Sequence, residues 1–262
     1  MAHLFLTSCS DPALPRASDK LAGLREALAR RGHTLDTDAL EGLAASQPTP
    51  WRWHPSERAA LLAQAFRSPE VDAILDISGG DLANEVLPHL DMDTIAAHPK
   101  LMVGYSDMSC ILGALPQRTL LWNPLIGLST GFSALDAALE GRVIRPPLAN
   151  ADVAALPWFG GNIRCFLKLA GTPFWPDLSG GALLLEGRAP GLKAVAAFLA
   201  HHALLGTFAR VKAVVVGQFT AIDEAREREE LLDLIREYAG AVPLVEAPTI
   251  GHSSTSGAVT LG

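Results

Sequence analysis

Cysteine is scarce in this 262-residue chain: Cys9, Cys110 and Cys165 stand far apart, odd in number, with no Cys-x-x-Cys pair. That excludes a disulfide-stapled scaffold and a thiolate zinc site, and no metal is expected. Charge is also thin at 19%, with 21 Lys and Arg against 28 Asp and Glu, scattered along the chain. A net charge of −7 without a basic cluster rules against a nucleic-acid partner. No apolar run approaches the ~18 residues that a membrane helix needs, so no membrane contact is expected. The stretch Met1-Ala2-His3-Leu4-Phe5-Leu6-Thr7 lacks both the basic region and the apolar core of a signal peptide, which points to the cytoplasm. P-loop, Gly-x-Gly-x-x-Gly, His-Glu-x-x-His and Gly-x-Ser-x-Gly patterns are all missing, which removes the usual nucleotide and zincin readings.

What the chain does have is apolar residues, 49% of it, in short runs that alternate with helical patterns. Over residues 1–130 the order reads as βαβ units on a mainly parallel sheet. His3–Thr7 and Val71–Ile77 are expected strands, and Asp19–Arg31, closed by Gly32, and a segment opening at Ser56 are expected helices. Residues 131–157, with Pro146-Pro147, read as a linker between an N-terminal domain and a C-terminal domain at 158–262. There, Gly161–Leu169 is expected to be helical, Ala182–Leu185 and Lys212–Gln218 to be buried strands, and Asp223–Tyr238 a charged helix with a Glu224–Arg228 pair at i,i+4. His201-His202 lies in an apolar helix with no acidic neighbour in sequence and reads as helix surface.

The apolar run Leu101-Met102-Val103 stops at Gly104-Tyr105-Ser106-Asp107 and turns at once into a helical pattern. Such a strand-to-helix turn exposes a hydroxyl at the carboxyl end of a sheet, beside helix N–H groups that favour negative charge. Ser106 is thus a candidate nucleophile, although Ser106 or Asp107 as a plain helix cap is an equally simple reading. Glu186 ends a buried-type strand, and His252 sits in the turn Gly251-His252-Ser253; each could also be an ordinary exposed residue. Gly79-Gly80 offers bare backbone N–H groups, or simply a tight turn. Cys110 as an alternative nucleophile falls about one turn into the helix after Ser106, below the sheet end.

Taken together, Ser78-Gly79-Gly80 with Asn84–Asp91, Pro99-Lys100 leading to Gly104-Tyr105-Ser106-Asp107, Gly160-Gly161-Asn162 with Gly171–Leu178 and Leu184-Leu185-Glu186, and Gly251-His252 resemble the LD-carboxypeptidases, serine peptidases that include muramoyltetrapeptide carboxypeptidase and the microcin-type immunity peptidases. The resemblance runs from about residue 55 onward and implies an α/β fold: a flavodoxin-like parallel-sheet N-terminal domain with a smaller β-rich α/β C-terminal domain. It implies Ser106 as nucleophile, Glu186 as orienting acid and His252 as base, with the N–H groups of Gly80 and Asp107 as oxyanion hole and Gly79, Asp81 and Asn162 near the substrate. By the same resemblance the substrate is a small peptide, cut between an L-centre and a C-terminal D-amino acid, without metal or cofactor, in a homodimer. The form Gly79-Gly80-Asp81-x-x-Asn84 is closer to the immunity-type branch, whose members attack peptidyl- or aminoacyl-nucleotides. Trp122-Asn123-Pro124 replaces the family's usual His-Gly-Pro, which keeps a catalytically silent ligand-binding relative in view.

Overall fold

Runs such as Leu4-Phe5-Leu6 and Val214-Val215-Val216 are buried completely or nearly so. Continuous apolar strands of this kind, rather than alternating ones, belong to parallel sheets covered on both faces by helices. The computed structural model describes residues 1–14, 17–47 and 49–262. Ten strands are present among them: β1 (His3–Thr7), β2 (Thr34–Asp36), β3 (Ala73–Asp76), β4 (Leu101–Gly104), β5 (Thr119–Leu121), β6 (Trp158–Asn162), β7 (Ala182–Gly187), β8 (Ala213–Phe219), β9 (Leu244–Glu246) and β10 (Val259–Leu261).

The first sheet runs β2-β1-β3-β4-β5-β10, all parallel except β10, which pairs antiparallel with β5. Its first five strands follow the 2-1-3-4-5 order of doubly wound flavodoxin-like sheets, so the strand order reverses between β1 and β3. A crevice therefore opens where the carboxyl ends of β1 and β3 part, the usual ligand position in such folds. The second sheet, β6-β7-β8-β9, is smaller and wholly parallel. One apolar core runs through both sheets. The last strand, within the segment read from sequence as the C-terminal domain, returns to the first sheet. Gly262 N–H then donates to Trp158 O at 2.8 Å and ties the two sheet edges together.

Several local expectations change. The linker contains helices Ser133–Leu139 and Ala151–Ala155. Arg145 organises it, donating to Thr260 O (2.6 Å), Leu156 O (2.9 Å) and Ala154 O (3.1 Å) while lying 4.7 Å over the Trp158 ring. Burial lowers the Arg145 pKa to about 10. Gly161-Asn162 belongs to strand β6, not to a helix, and the helix begins at Ile163; a Trp-Phe-Gly-Gly-Asn stretch carries too few side chains to display a strand's period of two. The 223–238 helix is broken at Arg226 (φ 62°), so Glu224 and Arg228 do not pair, and Arg228 binds Glu246 at 2.8 Å instead. His202 is not on the helix surface. It is fully buried beside Phe166, Trp175 and Phe208, and burial lowers its pKa to about 3, so the ring is neutral. Among the described residues no helix is long and apolar enough to cross a membrane.

Candidate active site

Strand β4 ends at Gly104, Tyr105 is extended (φ −149°, ψ 173°), and Ser106 turns into the left-handed region at φ 55°. A non-glycine residue there costs roughly 1–2 kcal/mol, and such strain persists only where the surroundings over-determine it. They do so here. Ser109 Oγ donates to Ser106 O at 2.7 Å, Trp122 N–H donates to Gly104 O at 2.8 Å, and Met108 N–H donates to Tyr105 O at 3.0 Å. The chain then passes into a tight turn, Ser106–Met108, and the helix Ser109–Ala114. Ser106 is thereby thrown off the end of the sheet rather than absorbed as a helix cap; the N-cap positions of the turn and the helix fall on Tyr105 and Met108 instead.

The neighbouring loop, after β3, is organised by a buried acid. Asp76 is fully buried at the strand end and accepts from Cys9 N–H (2.7 Å), Ser78 N–H (2.8 Å) and Thr7 Oγ1 (3.0 Å). Burial raises its pKa, and those donors oppose the rise. Asp76 thus holds the loops after β1 and β3 side by side. At Gly80 the backbone takes φ 128°, and a Cβ there would lie 2.1 Å from Asp11 Cγ, so no other residue fits. Asp11 accepts the Asp81 N–H at 2.9 Å, whereas no backbone acceptor among the described residues takes the Gly80 N–H.

Two cations reach this loop from beyond β6. Arg164 pairs with Asp81 and donates to Gly80 O at 3.2 Å. Lys168, four residues later, donates to Asp81 O at 2.7 Å and pairs with the fully buried Asp107 carboxylate. The other Asp107 oxygen accepts from Ser10 Oγ (2.6 Å) and Ala83 N–H (2.8 Å). One ammonium group therefore ties the glycine loop to the residue after Ser106. Lys168→Met keeps the aliphatic stem but strands a buried carboxylate, and is expected to lower unfolding free energy by about 3–5 kcal/mol. Adding Asp107→Asn should recover much of that loss in urea titrations, because the uncompensated charge goes with it.

Glu186, at the end of β7, is 2% exposed, and its Oε2 lies 2.7 Å from His252 Nδ1. The His252 loop reaches Glu186 because Gly217 of β8 leaves room: a Cβ there would meet Ile250 O at 2.6 Å. Gln218 latches the loop. Its N–H donates to Ile250 O (2.7 Å), its Nε2 donates to Pro248 O (2.8 Å), and its Oε1 accepts from Ser253 N–H (3.1 Å). The outer nitrogen of the imidazole, Nε2, is buried and has no hydrogen-bond partner among the described residues. Tyr105 lies tilted against the ring, at a centroid distance of 6.2 Å.

These pieces converge on a cleft of about 320 Å³ whose walls include Asp11, Gly79, Gly80, Tyr105, Ser106 and His252. Ser106 from the first sheet and the Glu186–His252 pair from the second thus share one crevice, with no hydrogen bond between Ser106 and His252. Asp107 turns its side chain into the core and leaves only its backbone near the turn. Asp81 is exposed and engaged by Arg164, and Asn162 spends its side chain on the Cys165 N–H (3.3 Å) while its own N–H donates to Ser109 Oγ (2.9 Å). Neither lines the cleft. Cys110 is buried inside the helix, its thiol raised by burial, which leaves it no nucleophilic role. Among the described residues no group of three or more His, Cys, Asp or Glu could hold a metal ion. Sequence reading passed over Asp11, Asp76, Arg164, Lys168 and Gln218. The i,i+4 spacing of Arg164 and Lys168 was the one visible signal, since it sets both cations on one helical face.

The LD-carboxypeptidase N-terminal domain model matches residues 5–123 and the LD-carboxypeptidase C-terminal domain model residues 157–262. The Escherichia coli protein named "Microcin C7 self-immunity protein MccF" is 22% identical over 97% of this chain and 87% of its own. The Bacillus subtilis protein named "Probable murein peptide carboxypeptidase" is 24% identical over 79% of this chain and 72% of its own. Among solved structures, wild-type apo MccF superposes with a TM-score of 0.80 at 19% identity, covering 100% of this chain and 91% of that one. Muramoyltetrapeptide carboxypeptidase from Oxalobacter formigenes gives 0.79 at 20% identity, covering 99% and 92%. With both domain models matched in order and the two-sheet fold shared end to end, the chain belongs to the LD-carboxypeptidase family.

Proposed function

We propose that this protein is a serine carboxypeptidase that hydrolyses the amide between an L-configured centre, meso-diaminopimelate or Lys, and a C-terminal D-amino acid such as D-Ala. The observation that carries this reading is the buried, unpartnered Nε2 of His252, in the same cleft as a serine held at φ 55°. A buried polar atom without a partner calls for an explanation, and here the missing partner is the proton of the attacking hydroxyl. Glu186 accepts the Nδ1–H and so leaves Nε2 as the lone-pair nitrogen.

In this reading His252 takes the proton from Ser106 as Oγ attacks the scissile carbonyl carbon. The carbonyl oxygen becomes an oxyanion, received by the N–H groups of Gly80 and Asp107, each worth about 3 kcal/mol in the transition state. The imidazolium returns its proton to the leaving nitrogen, the C–N bond breaks and the D-amino acid departs. Water, deprotonated by the same imidazole, then cleaves the Ser106 ester and restores the enzyme. The strained φ of Ser106 keeps its hydroxyl at the crevice mouth before substrate arrives, so the cost of placing it is met on folding.

A second reading, an immunity-type amidase acting on an aminoacyl-nucleotide, is favoured by the Gly79-Gly80-Asp81 sequence. A turnover panel separates them. Release of D-Ala from a murein tetrapeptide, with no cleavage of aspartyl sulfamoyl adenosine, is expected. Preference for the nucleotide conjugate would move the substrate to the immunity class. Tight binding of either without turnover would make the chain a silent relative.

A further inference from the structure

Although the chain carries a net charge of −7, the Ser106 cleft is lined by two cations, Lys20 and Arg188, that have no carboxylate partner among the described residues. Among the described residues Asp11 is the one acidic side chain in the same wall, so two cations face a single carboxylate. His252 is already matched by Glu186. The cleft is therefore left with uncompensated positive charge.

The two cations differ in how they are held. Arg188 follows Glu186 by two residues, and its backbone is anchored where Ala221 N–H donates to Arg188 O at 3.0 Å. Its root is thus fixed beside the strand end that carries the acid, while its exposed head remains free. Its charge also reaches Tyr105, where burial is the main cause of a raised phenol pKa and Arg188 acts against it. Lys20 stands in the first turn of the helix Ser18–Ala29, where the helix dipole disfavours a cation. A positive group kept in an unfavourable place, with no partner of its own, fits a role toward an incoming anion.

We propose that Arg188, assisted by Lys20, grips the free α-carboxylate of the substrate's C-terminal residue. The assignment rests on the carboxypeptidase reading above. In a substrate cut at its last amide, that carboxylate lies one residue, about 3.6 Å of chain, beyond the scissile bond. It is the single feature that separates a terminal amide from every internal one. A guanidinium fork matches a carboxylate with two parallel hydrogen bonds, which an ammonium group cannot do. Exo-cleavage then follows from charge: an internal peptide or a C-terminal amide would leave Arg188 and Lys20 unanswered.

The test compares a pair of L-Lys-D-Ala peptides that differ only in ending as a free acid or as a carboxamide. The wild-type protein is expected to favour the acid by about 10- to 100-fold in kcat/KM, the range for a hydrogen-bonded charge. In Arg188→Gln that ratio should collapse toward one, Arg188→Lys should restore part of it, and Lys20→Ala should lower it less than Arg188→Gln does. A ratio unchanged in Arg188→Gln, or no acid preference in an active wild-type protein, overturns the assignment and leaves the peptidase reading standing. Inertness toward both peptides ends both.

Discussion

Ser106→Ala is expected to lower kcat for D-Ala release about a millionfold, to near the background left by binding and oxyanion stabilisation alone. The size follows from the division of labour in the cleft. Once Oγ is gone, the other serine in the cleft wall, Ser78, has its hydroxyl engaged, donating to Asp76 and accepting from Ser10 N–H, and Cys110 is buried in the core behind the turn. The fold should survive, because Ser106 occupies no N-cap position and its backbone carbonyl, not its side chain, accepts from Ser109. A companion variant separates chemistry from strain. Ser106→Gly should be equally inactive yet more stable than Ser106→Ala by about 1 kcal/mol, since glycine adopts φ 55° without a Cβ clash. Thermal unfolding of the two variants reads that difference as a few degrees. Retained turnover in Ser106→Ala would end the serine mechanism.

Glu186→Gln should cost on the order of 10⁴-fold in kcat with little change in KM. The replacement has the same shape, so the loop latched by Gln218 stays in place. What changes is the tautomer. A carboxylate 2.7 Å from Nδ1 can only accept, which commits the ring proton to Nδ1 and the lone pair to Nε2. A glutamine amide can donate to Nδ1, so that the proton moves to Nε2 and the base is lost. Steady-state kinetics on the free-acid peptide check it, and ¹⁵N shifts of the His252 ring should show the tautomer switch. A merely structural Glu186 would predict lost stability without that switch.

The two predictions rest on residues that differ in how they could be read. Ser106 was legible because the apolar run Leu101-Met102-Val103 ends abruptly in a polar turn, a purely local signal. Glu186 and His252 look ordinary in isolation, and only the resemblance to a family singled them out. Their pairing across 66 positions is a property of two loops meeting. Arg164, Lys168 and Gln218 left almost no trace, because each acts on a partner far away in sequence. The broken helix at Arg226 and the burial of His202 were misread for the same reason. Amphipathic spacing reports a preference, and tertiary packing decides whether it is used.

The sequence by itself determined the class: apolar runs buried on both sides require a parallel sheet with helical cover, and a polar turn after such a run puts Ser106 at the sheet's end. The tertiary structure alone decided what that serine meets. Strand order sets where the loops part, the return of β10 ties the two sheets at their edges, and buried charges such as Asp76 and Asp107 hold backbones that no local rule relates. The reason is physical. Local patterning is governed by neighbours within a few residues, whereas a cleft is governed by which distant polar groups must satisfy one another once water has been excluded.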